Sequence, residues 1–331
     1  MVEIGFVASL EQYSPREAVE LAAVAAGHGF DGVVLADRFQ PWLPAHGNAS
    51  HVWTVAGAVG ERTDAWIAVS AVPGYRAHPA SVAQATVTAE SLRPGRHRLL
   101  LSGGDAIDEH VVGSYWPEAP ERAERLFDAH DVIRKLLGTA RRGSDARHSG
   151  PHYRLESSRL WTGRDVPPVL VWAGGPVTAR RAGRTADGIV VGDADVDRLS
   201  RLLGAARDGR RESGRESRMR TAVHVQLAWA PTDAEAAEQA LREWPMAGLR
   251  FPRGDIRSPF DVEHLVRAVS ADDLAARMTV SADPSVHLAR LRQLVGLGFD
   301  TVHIHNVTRD QRGWLEVFGR EIAPELSRTR S

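Results

Sequence analysis

Short apolar runs recur along the whole chain, and a segment with helical periodicity follows most of them. Eight of these runs have the length and composition of buried strands: residues 2–8, 32–36, 66–71, 97–101, 168–173, 187–191, 222–230 and 301–305. Strands that are apolar at successive positions are typical of sheets covered on both faces, and intervening helices predict parallel pairing through right-handed crossovers. Eight such units favour an α/β fold of the (β/α)8 TIM-barrel type over an open sheet.

Two regions interrupt this rhythm. Residues 244–271 are rich in tryptophan, proline and phenylalanine, and we interpret them as an insertion over the pocket of the barrel. Residues 138–150 are polar and are expected to form an exposed excursion, and residues 153–160 are expected to form an extra strand outside the repeat. No linker-like composition divides the chain, so we expect one domain over residues 1–331.

Composition excludes several classes of chemistry. The chain has 331 residues, a formal net charge of −1 and no cysteine. The balanced charge gives no footprint for nucleic acid or for a membrane surface, and the lack of cysteine excludes disulfides and thiolate chemistry. Lys135 is the only lysine in the chain, so the sequence gives little support for a Schiff-base mechanism. The N-terminus has no secretory leader and no apolar run approaches the ~20 residues of a membrane helix, so we expect a cytoplasmic protein.

The loop after the second strand holds the strongest catalytic candidates. The apolar run 33–35 ends abruptly in Asp37 and Arg38, and Trp42 follows shortly after them. Charged pairs at strand ends are most often surface ion pairs, but the apolar and aromatic neighbours of this pair would not surround a freely solvated one. An aromatic wall beside fixed charges suits a planar ligand. Catalytic residues of barrel enzymes lie at such strand ends, so we take all three residues as catalytic candidates.

Glycine pairs follow two further strands. One lies in the run 173–178, between the fifth strand and a helix, where backbone amides at a helix N-terminus can bind an anion. An ordinary tight turn explains this run equally well, and its spacing does not match a dinucleotide-binding motif. The other pair precedes Asp105, Asp108 and Glu109. For the last two residues we favour stabilisation of a helix N-terminus, and we take Asp105 as the functional candidate.

No metal site is expected, because no second acidic cluster at ligand spacing accompanies these carboxylates. His224, His303 and His305 alternate with apolar residues on the last two strands. A histidine in this setting is most often a packed core residue, so we do not assign these three to catalysis. No nucleophile elbow surrounds any serine, so a hydrolase triad is not indicated.

At these motifs the sequence resembles the luciferase-like, coenzyme F420-dependent oxidoreductases, and among them the F420-dependent glucose-6-phosphate dehydrogenases. The matching motifs are SLEQ at 9–12, ADRFQPW at 36–42, GERT at 60–63, AGGP at 173–176, AGRTADG at 182–188, ADP at 282–284 and DQRGWLEVF at 310–318. The resemblance implies a barrel with insertions that binds a deazaflavin hydride carrier with an anionic tail. It also implies a homodimer that acts on a small molecule.

The resemblance further implies roles for individual residues. The implied cofactor contacts are Asp37, Ala71, Val72, Asp105, Asp108, Ala173, Gly174, Gly175, Pro176, Val177 and Thr178. A non-proline cis peptide is implied at Ala71–Val72, behind the deazaflavin ring. Glu11, Trp42 and Asp195 are implied to contact the substrate.

The chain departs from the sugar-phosphate dehydrogenases at several positions of the site. Arg38 replaces a histidine that acts as general base, and Asp105 and Asp108 replace a glutamate and an asparagine. Two lysines that hold the sugar phosphate align with Asp195 and Ala276, and an aspartate would repel a phosphate. We therefore predict that glucose 6-phosphate is not the substrate. Arg38 is expected to polarise a carbonyl, imine or conjugated acceptor. Asp105 is the expected proton source on the condition that burial raises its pKa.

Two alternatives stay open. An FMN-dependent luciferase-like monooxygenase would share the barrel, and Asp108 in place of a cofactor contact leaves room for it. A barrel that has lost catalysis and binds a ligand is the second alternative, because the substitutions fall on reactive positions.

Overall fold

The computed structural model describes residues 2–329, and a closed barrel of eight parallel strands lies at its centre. The described residues form the strands β1 Glu3–Val7, β2 Gly32–Ala36, β3 Trp66–Ala71, β4 His97–Leu101, β5 Ala146–Ser149, β6 Arg154–Ser158, β7 Val169–Trp172, β8 Gly188–Gly192, β9 Arg220–Ala228, β10 Thr279–Val280 and β11 Thr301–Asn306. The barrel order is β1, β2, β3, β4, β7, β8, β9, β11 and back to β1. The predicted TIM-barrel fold is therefore confirmed.

Helices cover the outside of the barrel and fill its connections. They are α1 Pro15–Ala26, α2 Val52–Gly60, α3 Pro79–Leu92, α4 Ala106–Glu109, α5 Ala119–Arg142, α6 Pro176–Thr185, α7 Val196–Glu212, α8 Asp233–Glu243, α9 Pro259–Leu265, α10 Ala271–Ala275, α11 Pro284–Gly296, α12 Gln311–Val317 and α13 Ala323–Thr329. The first of them shows how the sequence sets a boundary. Ser14 and Glu17 form a reciprocal capping box, with Pro15 at the first helical position.

Alternate residues of the barrel strands point inward and outward. The outward residues join the helices in the main hydrophobic core, and the inward ones fill the lumen, where Val34, Leu100 and Val190 belong to one apolar cluster. Above this cluster, the Trp172 indole donates to the Ser70 hydroxyl at 2.9 Å. The lumen is therefore filled by packed side chains, and polar side chains line it at the carboxyl ends of the strands.

The three strand histidines lie in this lumen, where they are packed against other rings. His303 and His305 are buried, and burial lowers the pKa of both, that of His305 to about 3. Burial also lowers the pKa of His224, which is half-buried. These rings are therefore neutral packing groups at neutral pH.

The prediction for residues 138–160 was wrong in its first part. Helix α5 continues to Arg142, and β5 pairs with β6 in an antiparallel hairpin. Asp128 fixes this hairpin, because it accepts from His148 Nε2 at 2.7 Å and from the Tyr153 amide at 2.9 Å. A polar strand that buries a histidine against a carboxylate lacks the apolar alternation by which a strand is recognised.

Residues 244–271 pack on the loops at the carboxyl end of the barrel. They contain a short 3-10 turn at Pro245–Gly248, helix α9 and the start of α10. Trp244, Met246 and Val262 share a hydrophobic cluster with Trp42 and Ile107. This cluster joins the segment to the loops that follow β2 and β4.

Candidate active site

The loops after β2, β3 and β4 lie side by side at the carboxyl end of the barrel. The Asp37 amide donates to the Ser70 carbonyl oxygen at 2.8 Å, and the Ser102 amide donates to the Ala71 carbonyl oxygen at 3.1 Å. These bonds extend the parallel ladder beyond the strand ends. Side chains that are distant in sequence therefore meet at this edge of the barrel.

Arg38 lies among several carboxylates. Its Nη1 atom is 3.3 Å from Asp108 Oδ2 and 3.6 Å from Asp105 Oδ2. Its guanidinium carbon lies 4.6 Å from the centre of the Trp42 ring, and its Nε and Nη2 atoms are buried without a hydrogen-bond partner among the described residues. Burial alone would lower the pKa of Arg38, but Asp108 and two further carboxylates raise it. The side chain is therefore a fixed cation with unused donors.

Asp108 fixes the loop after β2 and also faces Arg38. Its Oδ1 atom accepts from the Phe39 amide at 2.8 Å and from the Gln40 amide at 3.1 Å. Burial raises the pKa of Asp108 although Arg38 and the two amides oppose this effect. The Asp105 side chain is 36% exposed, whereas that of Asp108 is 3% exposed. The two carboxylates therefore share one guanidinium but have different access to water.

Glu11 lies behind Trp42. Its Oε2 atom accepts from the Trp42 amide at 2.7 Å and lies 2.9 Å from His46 Nδ1, and His46 Nε2 lies 2.8 Å from the Glu243 carbonyl oxygen. Both neighbours of the ring are acceptors, so His46 satisfies both only as an imidazolium. Burial would raise the pKa of Glu11, but His46 and Arg38 lower it. Glu11 is thus a buried carboxylate that is held by the Trp42 amide and by His46.

Asp37 is paired with an arginine from the next loop. Arg76 Nη2 lies 3.0 Å from Asp37 Oδ2 and 2.9 Å from Glu109 Oε1, and Arg76 Nε donates to the same Glu109 oxygen at 3.1 Å. Burial raises the pKa of Glu109 to about 7, although Arg76 opposes this effect. The three side chains form an ion-pair chain across the loops after β2, β3 and β4.

The segment that follows α8 also reaches the site. The Gly254 carbonyl oxygen accepts from the Ala106 amide at 2.9 Å, and Asp255 Oδ1 accepts from the Trp116 indole at 3.0 Å. The guanidinium carbon of Arg253 lies 5.2 Å from the centre of the Trp42 ring. Burial lowers the pKa of Arg253. Trp42 therefore has two guanidinium groups near its ring: that of Arg38 from the loop after β2 and that of Arg253 from the segment 244–271.

The end of β3 packs against the turn that follows β4. Ala71 and Val72 are both buried, and a Cβ atom on Gly104 would lie 2.6 Å from Val72 Cγ1. Gly104 also has a φ of +78°, which side chains rarely adopt. The expected cis peptide at Ala71–Val72 was wrong, because the described residues contain no cis peptide bond. The trans form is the lower in energy for a peptide that does not precede proline.

The glycine run after β7 forms an open corner. A Cβ atom on Gly174 or Gly175 would meet nothing within 4 Å, and Val177 is 82% exposed at the first turn of α6. Arg198 links this corner to Asp195, because its Nη2 atom donates to the Gly174 carbonyl oxygen at 3.0 Å and its amide donates to Asp195 Oδ1 at 2.8 Å. Asp195 is exposed and caps α7.

The structure brings most of the predicted site residues to one end of the barrel. Asp37, Arg38, Trp42, Asp105 and Asp108 form a contiguous group, and Glu11 supports it from behind. The remaining predicted residues are Ala71 and Val72 beside the β4 turn, the open corner at Ala173, Gly174, Gly175, Pro176, Val177 and Thr178, and Asp195 next to that corner.

Sequence reasoning missed Arg76, Glu109, His46 and Arg253. The sequence predicts that Glu109 stabilises a helix N-terminus, but its side chain is fully buried and ion-paired. Arg76 lies shortly after the end of β3. A charged residue after the end of a barrel strand is the signal that identifies Asp37 and Asp105, and it applies equally to Arg76. Arg253 had no such signal, because it lies in the irregular segment 244–271.

The described part of the chain contains neither a membrane-spanning helix nor a cluster of metal ligands. No helix there is long and apolar enough to cross a membrane. No group of three or more histidine or carboxylate side chains in residues 2–329 is placed to hold a metal ion.

Comparison with known proteins identifies the family. The family model for luciferase-like monooxygenases matches residues 3–301. The chain is 32% identical over 332 residues to an F420-dependent glucose-6-phosphate dehydrogenase of Microbacterium testaceum, with 98% of this chain and 97% of the relative covered. It is 33% identical over 339 residues to the enzyme of that name from Mycobacterium tuberculosis, with 99% and 98% covered.

Solved structures agree with this assignment. A structure described as an F420-dependent secondary alcohol dehydrogenase in complex with an F420-acetone adduct has a TM-score of 0.91 and 26% identity, with 98% of each chain covered. A coenzyme F420-dependent tetrahydromethanopterin reductase from Methanopyrus kandleri has a TM-score of 0.80 at 17% identity, which supports the fold alone. The expected resemblance to F420-dependent enzymes is confirmed, and the chain belongs to the luciferase-like monooxygenase family.

Proposed function

We propose that this protein is an F420-dependent oxidoreductase that transfers a hydride between the deazaflavin and a small, non-phosphorylated organic substrate. The observation that supports this most directly is the ion-paired Arg38 beside Trp42, at the mouth of a barrel whose relatives are named as F420-dependent enzymes. F420 would supply a two-electron hydride carrier. The residues described above would form its binding site and provide the charges around the reacting atoms.

The open glycine corner suits the anionic tail of such a cofactor. Gly174 and Gly175 leave free space in front of α6, and no side chain caps the N-terminus of this helix. Unpaired amides at a helix N-terminus favour an anion. Asp37, Ala71, Val72, Asp105 and Asp108 are the proposed contacts of the ring system, and Ala173, Pro176, Val177 and Thr178 complete the proposed contacts of the tail.

Arg38 is proposed to stabilise negative charge on the substrate. It stays protonated at any working pH, so it cannot act as the general base that a sugar-phosphate dehydrogenase uses. A fixed cation beside a carbonyl or imine favours the charge that develops when the group is reduced. Asp105, the more exposed of the two carboxylates at Arg38, is proposed to pass a proton from water to the reduced group.

The charge of the site argues against a phosphorylated substrate. The buried or half-buried groups comprise three guanidiniums and five carboxylates: Arg38, Arg76, Arg253, Glu11, Asp37, Asp105, Asp108 and Glu109. With all five carboxylates ionised, these groups and the His46 imidazolium carry a net charge of −1, and protonation of Glu109 brings the total to zero. Arg277 lies near Arg253 but is exposed, so water screens its charge. Although the sequence relatives are named for glucose 6-phosphate, we propose a neutral alcohol and carbonyl pair, as in the structure with the acetone adduct.

A substrate screen tests this proposal. Purified protein is mixed with F420 and secondary alcohols, or with reduced F420 and carbonyl, imine or enone acceptors, and F420 absorbance is followed. Glucose 6-phosphate is the comparison substrate. We expect turnover with at least one neutral compound and none with glucose 6-phosphate. Substantial turnover of glucose 6-phosphate would refute the substrate proposal, and binding of FMN in place of F420 would favour the monooxygenase alternative.

A further inference from the structure

Arg76 occupies a central position among the loops of the site. Its Nη1 and Nη2 atoms lie 3.3 and 3.0 Å from the two oxygens of Asp37, and its Nε and Nη2 atoms lie 3.1 and 2.9 Å from Glu109 Oε1. The Arg76 amide also donates to Glu109 Oε2 at 3.4 Å. One guanidinium therefore joins the loops after three consecutive barrel strands.

The arrangement is asymmetric. The Glu109 side chain is fully buried, and the side chains of Asp37 and Arg76 are 11% and 14% exposed. Phe39 also lies beside the guanidinium, with its ring centre 5.9 Å from the guanidinium carbon. Glu109 is thus an internal anchor, whereas Asp37 and Arg76 are both partly exposed at the barrel mouth. A planar guanidinium with fixed donors transmits such an orientation better than a flexible ammonium.

We infer that Arg76 is a positioning residue that sets the orientation of the Asp37 carboxylate toward the cofactor, with Glu109 as its anchor. This inference rests on the proposed function, in which Asp37 contacts the deazaflavin. Arg76 itself does not react. Its effect is exerted on cofactor affinity and on the hydride-transfer rate, through the geometry of Asp37.

The anchor makes this arrangement sensitive to pH. The groups that face Glu109 are Arg76 and Tyr75 from the loop after β3 and Asp108 from its own helix. Burial raises the pKa of Glu109 to about 7, and Arg76 only partly offsets this. Below that pH Glu109 becomes protonated and its attraction for the guanidinium weakens. Cofactor binding and turnover are therefore expected to decline on the acid side of pH 7.

Four variants test the inference: Arg76→Lys, Arg76→Met, Glu109→Gln and, as a matched control, Arg210→Met. Arg210 is a buried arginine that donates to the Ala186 carbonyl oxygen just before β8, at the opposite end of the barrel. For each variant we would measure the F420 dissociation constant, kcat and KM from pH 5.5 to 8.5, and the melting temperature.

In Arg76→Met, F420 affinity or kcat is expected to fall about tenfold or more, because a misplaced contact group has effects of this size. Substrate KM should change little, and Arg76→Lys should recover part of the loss. Glu109→Gln should abolish the inflection near pH 7 in the cofactor-binding and rate profiles. Arg210→Met should lower the melting temperature and leave both profiles unchanged.

The inference is overturned if folded Arg76→Lys and Arg76→Met bind F420 and turn over like the parent protein, or if Glu109→Gln keeps the inflection. If Arg76→Met does not fold, the lysine and glutamine variants still decide the question. A parent protein that fails to bind F420 refutes the proposed function itself, and with it the role of Arg76. A parent protein that binds F420 normally while the variants have no effect refutes only the role of Arg76.

Discussion

Arg38 is an ion-paired cation at the mouth of the barrel. Its Nη1 atom is held by Asp105 and Asp108, and Trp42 lies beside its guanidinium plane. A cation held in this way needs no reorganisation when charge develops next to it, which is the condition for electrostatic stabilisation of a transition state. It cannot accept a proton, so the reaction must obtain or release its proton elsewhere.

Replacement of Arg38 tests this role. In Arg38→Ala, kcat for the best neutral substrate is expected to fall about 10²-fold or more, as when an oxyanion donor is removed. Arg38→Lys should lose less, because it keeps the charge but not the planar donors. Arg159→Ala, at an exposed position just after β6, is the control. Steady-state kinetics would measure these effects, and an unchanged kcat in Arg38→Ala would show that the assignment is wrong.

At the scale of elements, the turn after β4 depends on its glycine. Gly104 has a φ of +78° and lies under Val72, whereas Gly113 has a φ of +72° and would accommodate a Cβ atom in open space. A substitution at Gly113 would therefore cause backbone strain alone, whereas a substitution at Gly104 would cause backbone strain and steric overlap. Because Asp105 follows Gly104 directly and Glu109 lies at the end of the short helix α4 that comes next, the shape of this turn also sets the position of both carboxylates.

Alanine at these two glycines should have different effects. Gly113→Ala is expected to lower the free energy of unfolding by about 1–2 kcal/mol, the cost of a left-handed conformation for a residue with a Cβ atom. Gly104→Ala should cost more, because its Cβ atom would also displace Val72, and it should weaken F420 binding. Chemical denaturation and cofactor titration would measure both effects. Equal effects of the two substitutions would contradict the described packing.

Local signals predicted much of the fold and part of the site. The apolar strands, the capping box at Ser14 and the polar residues after β2 and β4 are encoded by neighbours in sequence, and they were predicted correctly. The pairing of Arg76 with Glu109 joins residues 33 positions apart, and that of His46 with Glu11 joins residues 35 positions apart. Such contacts depend on loop conformations that no local pattern specifies. The cis peptide was wrong because it was transferred from relatives.

At the scale of the whole molecule, the lumen histidines link stability to pH. His303 and His305 are buried and their pKa values are lowered by burial. In the unfolded chain a histidine has a pKa of about 6.5. The unfolded state therefore binds more protons than the folded state below that pH, so stability is lost as the pH falls from about 6.5 toward the folded values.

This coupling has a measurable consequence. The free energy of unfolding is expected to be lower at pH 5 than at pH 7. His303→Asn should be less stable at pH 7 but should lose less stability between the two values, because it removes one of the groups that protonate on unfolding. His51→Gln, at an exposed position, is the control and should keep the parental pH dependence. Urea denaturation at both pH values would measure the difference, and a pH dependence unchanged in His303→Asn would refute this explanation.

We propose that a deazaflavin lies across the barrel mouth with its anionic tail at the corner between β7 and α6. Titration of F420 and FMN into the parent protein, Gly174→Asp and the control Gly296→Asp tests it most directly, because a side chain at either glycine meets nothing within 4 Å. We expect the parent protein and the control to bind F420 in preference to FMN. The carboxylate in Gly174→Asp should weaken F420 binding about tenfold or more, which corresponds to about 1.4 kcal/mol. Equal F420 affinity in all three proteins, or preference for FMN, would contradict the claim.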